Sequence, residues 1–449
     1  MPAASIGWLV LAGVAAPAAL FGLLGGASVL NRPLPERWTS RLTAVAMLTA
    51  CSALGAAFVV SGATLTAPQL LTYGAWSEPG EGGVAIQFLV DGRSLAFGAL
   101  SAAIAGVVGA FSNRYLHRES GYNRYFVLLA MFVTGMLFVA LAGNVEVLFI
   151  GWEFIGLSSA LLVAFFHERP APVSNALRVF SVYRISDAAM LSAAVLLHHA
   201  AGSDSLALLT GARTSAAGLT QTSATVIALL LIVAVAGKSA LLPFSGWLPR
   251  AMEGPTPSSA VYYGALSIHA GCFLLLRAAP LFEHALAARI LVGALGAATA
   301  IFAAIATRVQ SDVKSSLAYA ALTQVGLIVV EIAIGWYTIA FVHLAGHACF
   351  RLLQFLSAPN VLHDLHGMEN DRPLPSRGVR PGGSPGVVRQ RLYLFALERG
   401  FLDPLLDRGI VEAFANVARR LTRFDAWLCG VLMPAPARAG VDRAEVRDD

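Results

Sequence analysis

Apolar runs of membrane-crossing length, each ended by a short polar stretch that usually carries arginine, recur along most of the chain. At a rise of 1.5 Å per residue, a helix needs about 20 such residues to cross a bilayer. Eleven runs qualify: 6–30, 42–61, 94–112, 125–142, 145–166, 174–197, 223–244, 259–276, 288–306, 317–334 and 338–356. The pattern predicts an all-α polytopic membrane protein. No basic segment precedes the first run, and its length of about 24 residues suits a spanning helix better than a cleaved signal.

Composition agrees. Of the 449 residues, 57% are hydrophobic and only 13% charged, about half the charged share of a soluble domain. A disordered chain, a secreted disulfide scaffold and a nucleic-acid binder are excluded. Charge placement then orients the chain. Loops after the odd-numbered spans carry ten Lys/Arg (Arg32, Arg37, Arg41, Arg114, Arg118, Arg124, Arg169, Arg250, Arg308, Lys314). Those after the even-numbered spans carry four (Arg93, Arg213, Arg277, Arg289). Positive loops stay in the cytoplasm, so the N-terminus is expected outside and the tail in the cytoplasm of a bacterial inner membrane.

Four parts are expected: N-terminal spanning helices over 1–84, a core over 85–360, a Gly/Pro/Arg-rich cytoplasmic linker over 361–390, and an amphipathic helix and tail over 391–449. The single cysteines Cys51, Cys272, Cys349 and Cys429 form no CxxC pair, and no GxGxxG fingerprint opens a strand–helix turn. No cofactor, resident metal or catalytic site is therefore expected.

The few charges inside spans carry the chemistry, because a charge at the bilayer centre costs about 2.5–3.5 kcal/mol on insertion scales. Span five places Glu153 about 12 Å along its helix from Val145, near the midplane, with Glu146 seven residues earlier on the same face. Span six carries Arg184 and Asp187 as an i,i+3 ion pair. Span seven carries Lys238, and Pro243 five residues later breaks the helix. Burial disfavours a lysine's charged form, so such a group exchanges protons near neutral pH. Span eleven aligns His343, His347 and Arg351 at i, i+4, i+8. The two histidines could hold zinc, but they lack a third ligand and relay protons readily. His269 in span eight and Glu331 in span ten complete a set suited to proton or cation conduction. Of 31 basic residues only Lys238 and Lys314 are lysine.

The runs Phe88-Leu89-Val90-Asp91-Gly92-Arg93-Ser94, Gly121-Tyr122-Asn123-Arg124-Tyr125-Phe126 and Gly151-Trp152-Glu153 resemble the antiporter-like membrane subunits. So do Gly237-Lys238-Ser239-Ala240, Gly254-Pro255-Thr256-Pro257, Asp312-Val313-Lys314-Ser315-Ser316-Leu317-Ala318-Tyr319 and the His343/His347 stripe. These subunits comprise the L-type (chain 5) subunit of respiratory complex I, the large subunit of multi-subunit sodium/proton antiporters and the membrane subunit of inorganic-carbon transporters. The resemblance covers about residues 85–360. It implies an inverted-repeat fold, here with a second repeat truncated after span eleven. It also implies a charge-sensing role for Glu153, a central proton carrier in Lys238, a modulating pair in Arg184/Asp187, and a route onward through His347 and His343. Lys314 matches a structural lysine at a span start. Tyr263 stands where the family has histidine, with His269 six residues on, and Arg351 stands in place of a lysine. Leu402-Asp403-Pro404-Leu405-Leu406-Asp407-Arg408 is similar to the family's far C-terminal segment.

The resemblance therefore implies a proton-translocating subunit in the lipid bilayer, coupled to a partner protein and not to nucleic acid. The shortened second half points first to inorganic-carbon uptake with a zinc protein resembling carbonic anhydrase. The alternative is a proton-pumping subunit among quinone-oxidoreductase (complex I-like) or Na+/H+ antiporter subunits.

Overall fold

The computed structural model describes residues 2–64, 68–75, 85–201, 206, 220–358 and 387–432. Its elements run α1 (Pro2–Val29), α2 (Glu36–Thr64), β1 (Gln69–Ala75), β2 (Ala85–Val90), α3 (Gly92–Tyr115), α4 (Tyr122–Leu141), α5 (Val145–Val163), α6 (Pro170–Ala201) and α7 (Gln221–Lys238). They continue with α8 (Thr256–Arg277), α9 (Leu286–Thr307), α10 (Val313–Ile334), α11 (Tyr337–Leu356), α12 (Val387–Leu397) and α13 (Glu412–Leu432). Helices α1 to α11 each contain a segment long and apolar enough to cross a membrane, eleven among the described residues. This is a multi-pass membrane protein. The chain divides into Met1–Asp403 and Pro404–Asp449. Most of the expected linker, residues 361–386, lies outside the described residues.

The helix ends follow their sequence signals. Asp91 caps α3 through a reciprocal capping box with Ser94, Asn144 caps α5, and Asp312 caps α10. Gly335 ends α10 at φ +94°, a left-handed conformation that glycine adopts without a Cβ penalty. In the middle of the bundle, α8 is buried along its spanning length. Its stretch Ser259–Leu266 is π-helical, a wider winding that recurs at functional sites.

Two features depart from the sequence reading. First, an all-helical chain was predicted, yet β1 and β2 form an antiparallel pair with Gln69 opposite Val90 and Tyr73 opposite Ile86. The pair is strapped to the α4–α5 connection by Gly143 N donating to Gln87 O at 2.8 Å and Asn144 Nδ2 donating to Ala85 O at 2.6 Å. Only glycine fits at 143, since a Cβ there would lie 2.8 Å from the Gln87 backbone. Second, span seven was predicted to continue to 244 but α7 stops at Lys238. Ala240 takes φ +55° and a 3-10 turn follows at Phe244–Gly246. The helix thus ends before Pro243, and the expected break lies at the lysine itself.

The Pro404–Asp449 unit has its own pattern. A π-helical turn at Asp407–Val411 runs into α13, which aligns Val417, Leu421, Phe424 and Trp427 at i, i+4, i+7 and i+10. Arg419, Arg420 and Arg423 share that helix. This is the spacing of an amphipathic helix.

Candidate functional site: a polar path through the bundle

Close helix crossings bring the first group of charges together. A Cβ on Gly135 of α4 would lie 2.8 Å from Gly151 O of α5, and one on Gly237 of α7 would lie 2.7 Å from Ser186 Cβ of α6. With backbones this near, side chains from α5, α6 and α7 meet. Arg184 NH2 lies 2.7 Å from both Glu153 Oε2 and Asp187 Oδ2. Lys238 Nζ lies 3.7 Å from Asp187 Oδ1 and donates to Trp152 O at 3.0 Å. The result is a four-membered chain, Glu153–Arg184–Asp187–Lys238, of two carboxylates and two cations. The predicted i,i+3 pair is present, and Glu153 joins it from the neighbouring helix.

Lys238 is wholly buried. Its ammonium sits 4.3 Å from the Tyr183 ring centroid and 4.9 Å from that of Trp152, faces that attract a cation. Trp152 is held in turn, its Nε1 donating to Ser186 Oγ at 3.3 Å and Ser186 Oγ donating to Ala234 O at 2.6 Å. A Cβ on Gly156 would sit 2.9 Å from Nζ, so the lysine tail passes close over the α5 backbone.

From Lys238, polar atoms continue toward α8. The Tyr183 hydroxyl faces Ser267 and Ser159, and Tyr263 OH donates to Ser159 O at 3.0 Å. Tyr263 is packed 5.7 Å from the Trp247 ring. The buried hydroxyls of Tyr183, Ser259 and Ser267 have no hydrogen-bond partner among the described residues.

The second group joins α8, α10 and α11. His269 Nε2 and His347 Nδ1 are 2.8 Å apart, although 78 positions separate them in the chain. Arg351 Nε donates to His347 Nε2 at 3.0 Å, and Arg351 NH1 to Gln354 Oε1 at 2.6 Å. His343 turns the other way, its Nδ1 2.9 Å from Glu331 Oε1 and its Nε2 3.1 Å from Gln324 Oε1. The single stripe read from the sequence therefore divides: His347 and Arg351 face α8, and His343 faces α10. Each ring nitrogen of His343 and His347 has a protein partner.

Other predicted residues lie elsewhere. Glu146 is in the first turn of α5, two helical turns from Glu153, outside the four-membered chain. Lys314 is in the first turn of α10 beside its Asp312 cap. Arg250, the last residue of the short helical turn Trp247–Arg250 that follows α7, pairs with Asp403 at 2.8 Å. Tyr183, Ser267, Gln324 and Gln354 were not read from the sequence as part of the path. The one signal for them was a polar side chain within an apolar span.

Comparison with known proteins identifies the frame that holds these groups. A family model described as NADH:quinone oxidoreductase/Mrp antiporter, TM, matches residues 142–374, more than half of the chain. The chain belongs to this family. A second model, the N-terminus of complex I chain 5, matches residues 76–126.

Relatives of this antiporter-like subunit include NAD(P)H-quinone oxidoreductase chain 5 of Synechocystis sp., 30% identical over 352 residues (76% of this chain, 51% of the relative). Another is NADH-quinone oxidoreductase subunit L of Campylobacter jejuni, 36% identical over 287 residues (63% of this chain, 47% of the relative). The chain thus spans about half the length of the curated relatives it matches. Among solved structures, a chain of the Mrp complex from Dietzia sp. superposes with a TM-score of 0.63 at 28% identity, covering 76% of this chain and 37% of that one. A chain of an archaeal membrane-bound sulfane sulfur reductase gives 0.68 at 21% identity, with 78% and 70% covered, a likeness of fold.

Proposed function

We propose that this antiporter-like subunit carries protons across the membrane as one member of a hetero-oligomeric complex of the complex I or Mrp type. One observation carries the reading: Lys238 sits wholly buried at the end of a broken helix, within 3.7 Å of Asp187, in line with Arg184 and Glu153. A lysine kept there costs several kcal/mol of desolvation unless paired. Its usefulness lies in a proton that arginine would not release. Protons enter at Glu153, are held at Lys238, and pass by Tyr183 and Ser267 toward His269 and His347, with water bridging the unpartnered hydroxyls. Loading Lys238 leaves the four-membered chain neutral, and unloading it leaves one net negative charge that draws in the next proton. The N-terminus faces outside and the tail the cytoplasm, as the arginine distribution implies.

The relatives favour this partner class over inorganic-carbon uptake with a zinc protein, since they are quinone-oxidoreductase subunits and a solved structure cited above is an Mrp complex. Two experiments test the proposal. Purification with bound partners should recover membrane or quinone-oxidoreductase subunits; a soluble zinc protein recovered instead would overturn the partner class. In lipid vesicles, Lys238→Ala should lower proton flux by about a hundredfold or more, an added barrier of roughly 2.7 kcal/mol, and Glu153→Gln should lower it markedly. Unchanged flux in both would sink the proton path.

A further inference from the structure

The second polar group contains a hydrogen-bond assignment with one solution. A guanidinium has N–H donors and no lone pair to offer. Arg351 Nε donates to His347 Nε2, so that nitrogen carries a lone pair and no hydrogen. The single N–H of the neutral ring is then on Nδ1, where it faces His269 Nε2 at 2.8 Å. His269 Nε2 must accept, which leaves its own hydrogen on Nδ1. Every donor points from Arg351 through His347 to His269.

We propose that Arg351 is a cap on this histidine pair: it fixes the tautomer of both rings and closes the nitrogen through which His347 would exchange a proton with the far side of the path. The inference rests on the proton-carrying reading above. An imidazole relays a proton by forming an N–H bond on one nitrogen while breaking the N–H bond on the other. At His347, an incoming proton forms a bond at Nε2. The Nδ1–H bond breaks and its proton moves to His269 Nε2, while the proton on His269 Nδ1 leaves toward the hydroxyls of α8. Relay the other way reverses each step and ends with release from His347 Nε2. Either direction uses Nε2. The Arg351 N–H occupies that lone pair and gives up no proton, so the pair conducts only when the guanidinium moves off.

The cap is seated but lightly held. Arg351 is buried, and its polar partners, His347 and Gln354, are both uncharged. The charged and titratable groups nearest His347 are His269, Arg351 and, 6.3 Å away between ring centroids, His343. Glu331, the carboxylate of this group, is on His343. A lysine at 351 would differ in kind, because its ammonium can hand its proton to His347 and become a member of the relay.

The test uses the full chain, 15N-labelled at histidine, in lipid vesicles. Solid-state NMR reads the tautomer, with His347 assigned by difference against His347→Gln. The wild type should show His347 as Nδ1–H alone, and Arg351→Met should populate Nε2–H. An Nε2–H signal in the wild type, or an unchanged tautomer in the variant, would overturn the cap. In the same vesicles Arg351→Lys should raise proton flux by about fivefold or more; flux equal to or below wild type would equally reject it. Gln354→Ala removes only the tether and is read by the same two criteria should Arg351→Met fail to fold. Failure of the proton-carrying reading shows separately, as unchanged flux in Lys238→Ala, while the tautomer result stands without reference to flux.

Discussion

Around Lys238, every charge has an opposite charge at hand: Arg184 touches two carboxylates and Lys238 reaches one of them. Around His347 the neighbours are an imidazole, an amide and one guanidinium, and Glu331 stands off on His343. The first group is a balanced set of charges, held by pairing of opposite signs. The second is an ordered file of donors and acceptors, so its state depends on which nitrogen carries hydrogen. The difference teaches that a bundle interior can hold polar side chains by two means, one the pairing of charges and the other the alignment of donors with acceptors.

Removing charge should break the first half more severely than any change of shape. Asp187→Asn leaves Lys238 and Arg184 short of a partner in a buried site. It is expected to destabilise by about 3–5 kcal/mol, measured as a lower unfolding midpoint in detergent, and to slow flux at least about tenfold. A smaller effect is expected from Gly156→Ala, whose methyl would press on Lys238 Nζ at 2.9 Å. The flexible lysine tail yields, and a helix gain of about 1 kcal/mol for alanine offsets the crowding. Flux should fall a few-fold with little change in the unfolding midpoint; a midpoint falling with flux would mean that the site is rigid and not adjustable.

The smallest effect lies outside both groups. Burial raises the Asp91 carboxyl, but the Arg277 guanidinium and hydrogen bonds from Ser94 outweigh it and hold Asp91 below the usual carboxylate range. A lowered native value means that the pair's contribution is whole above the ordinary carboxylate value of about 3.9 and is lost as pH falls through the lower native one. Acid unfolding below about pH 4 should therefore be less steep in Asp91→Asn, with flux at neutral pH unchanged. Equal acid profiles would remove Asp91 from the account.

Much of this was legible in the chain. Lipid leaves little choice for an apolar run of about 20 residues, so all eleven spans lie where the pattern placed them, within a few residues except at α7. Charged residues inside such runs are rare enough to be noticed singly, and Glu153, Arg184, Asp187 and Lys238, each visible in that way, meet in one group. What could not be read was who meets whom. His269 and His347 are 78 positions apart, and only the packing of α11 on α8 makes them neighbours. Nor does periodicity tell which way His343 turns, since Glu331 and Gln324 stand on another helix. The hairpin was missed because β1 and β2 are short and stand among runs that read as spans. Helix α7 ends early because Lys238 and Ser239 find partners across the bundle, Trp152 O and Ile268 O, that a continued helix would not reach.

The strap made by β1 and β2 has a consequence for the surrounding lipid. It is tied to the start of α5 through Gly143 and Asn144, and it runs into Asp91, which pairs with Arg277 at the end of α8. Glu153 rides on α5 and His269 on α8, so both groups are measured from the same fixed edge. A bilayer thinner or thicker than the usual ~30 Å makes helices tilt to match it. Here α5 and α8 are also joined at one end by protein contacts through the strap, so a change of tilt in either is felt by the other as well as by the lipid.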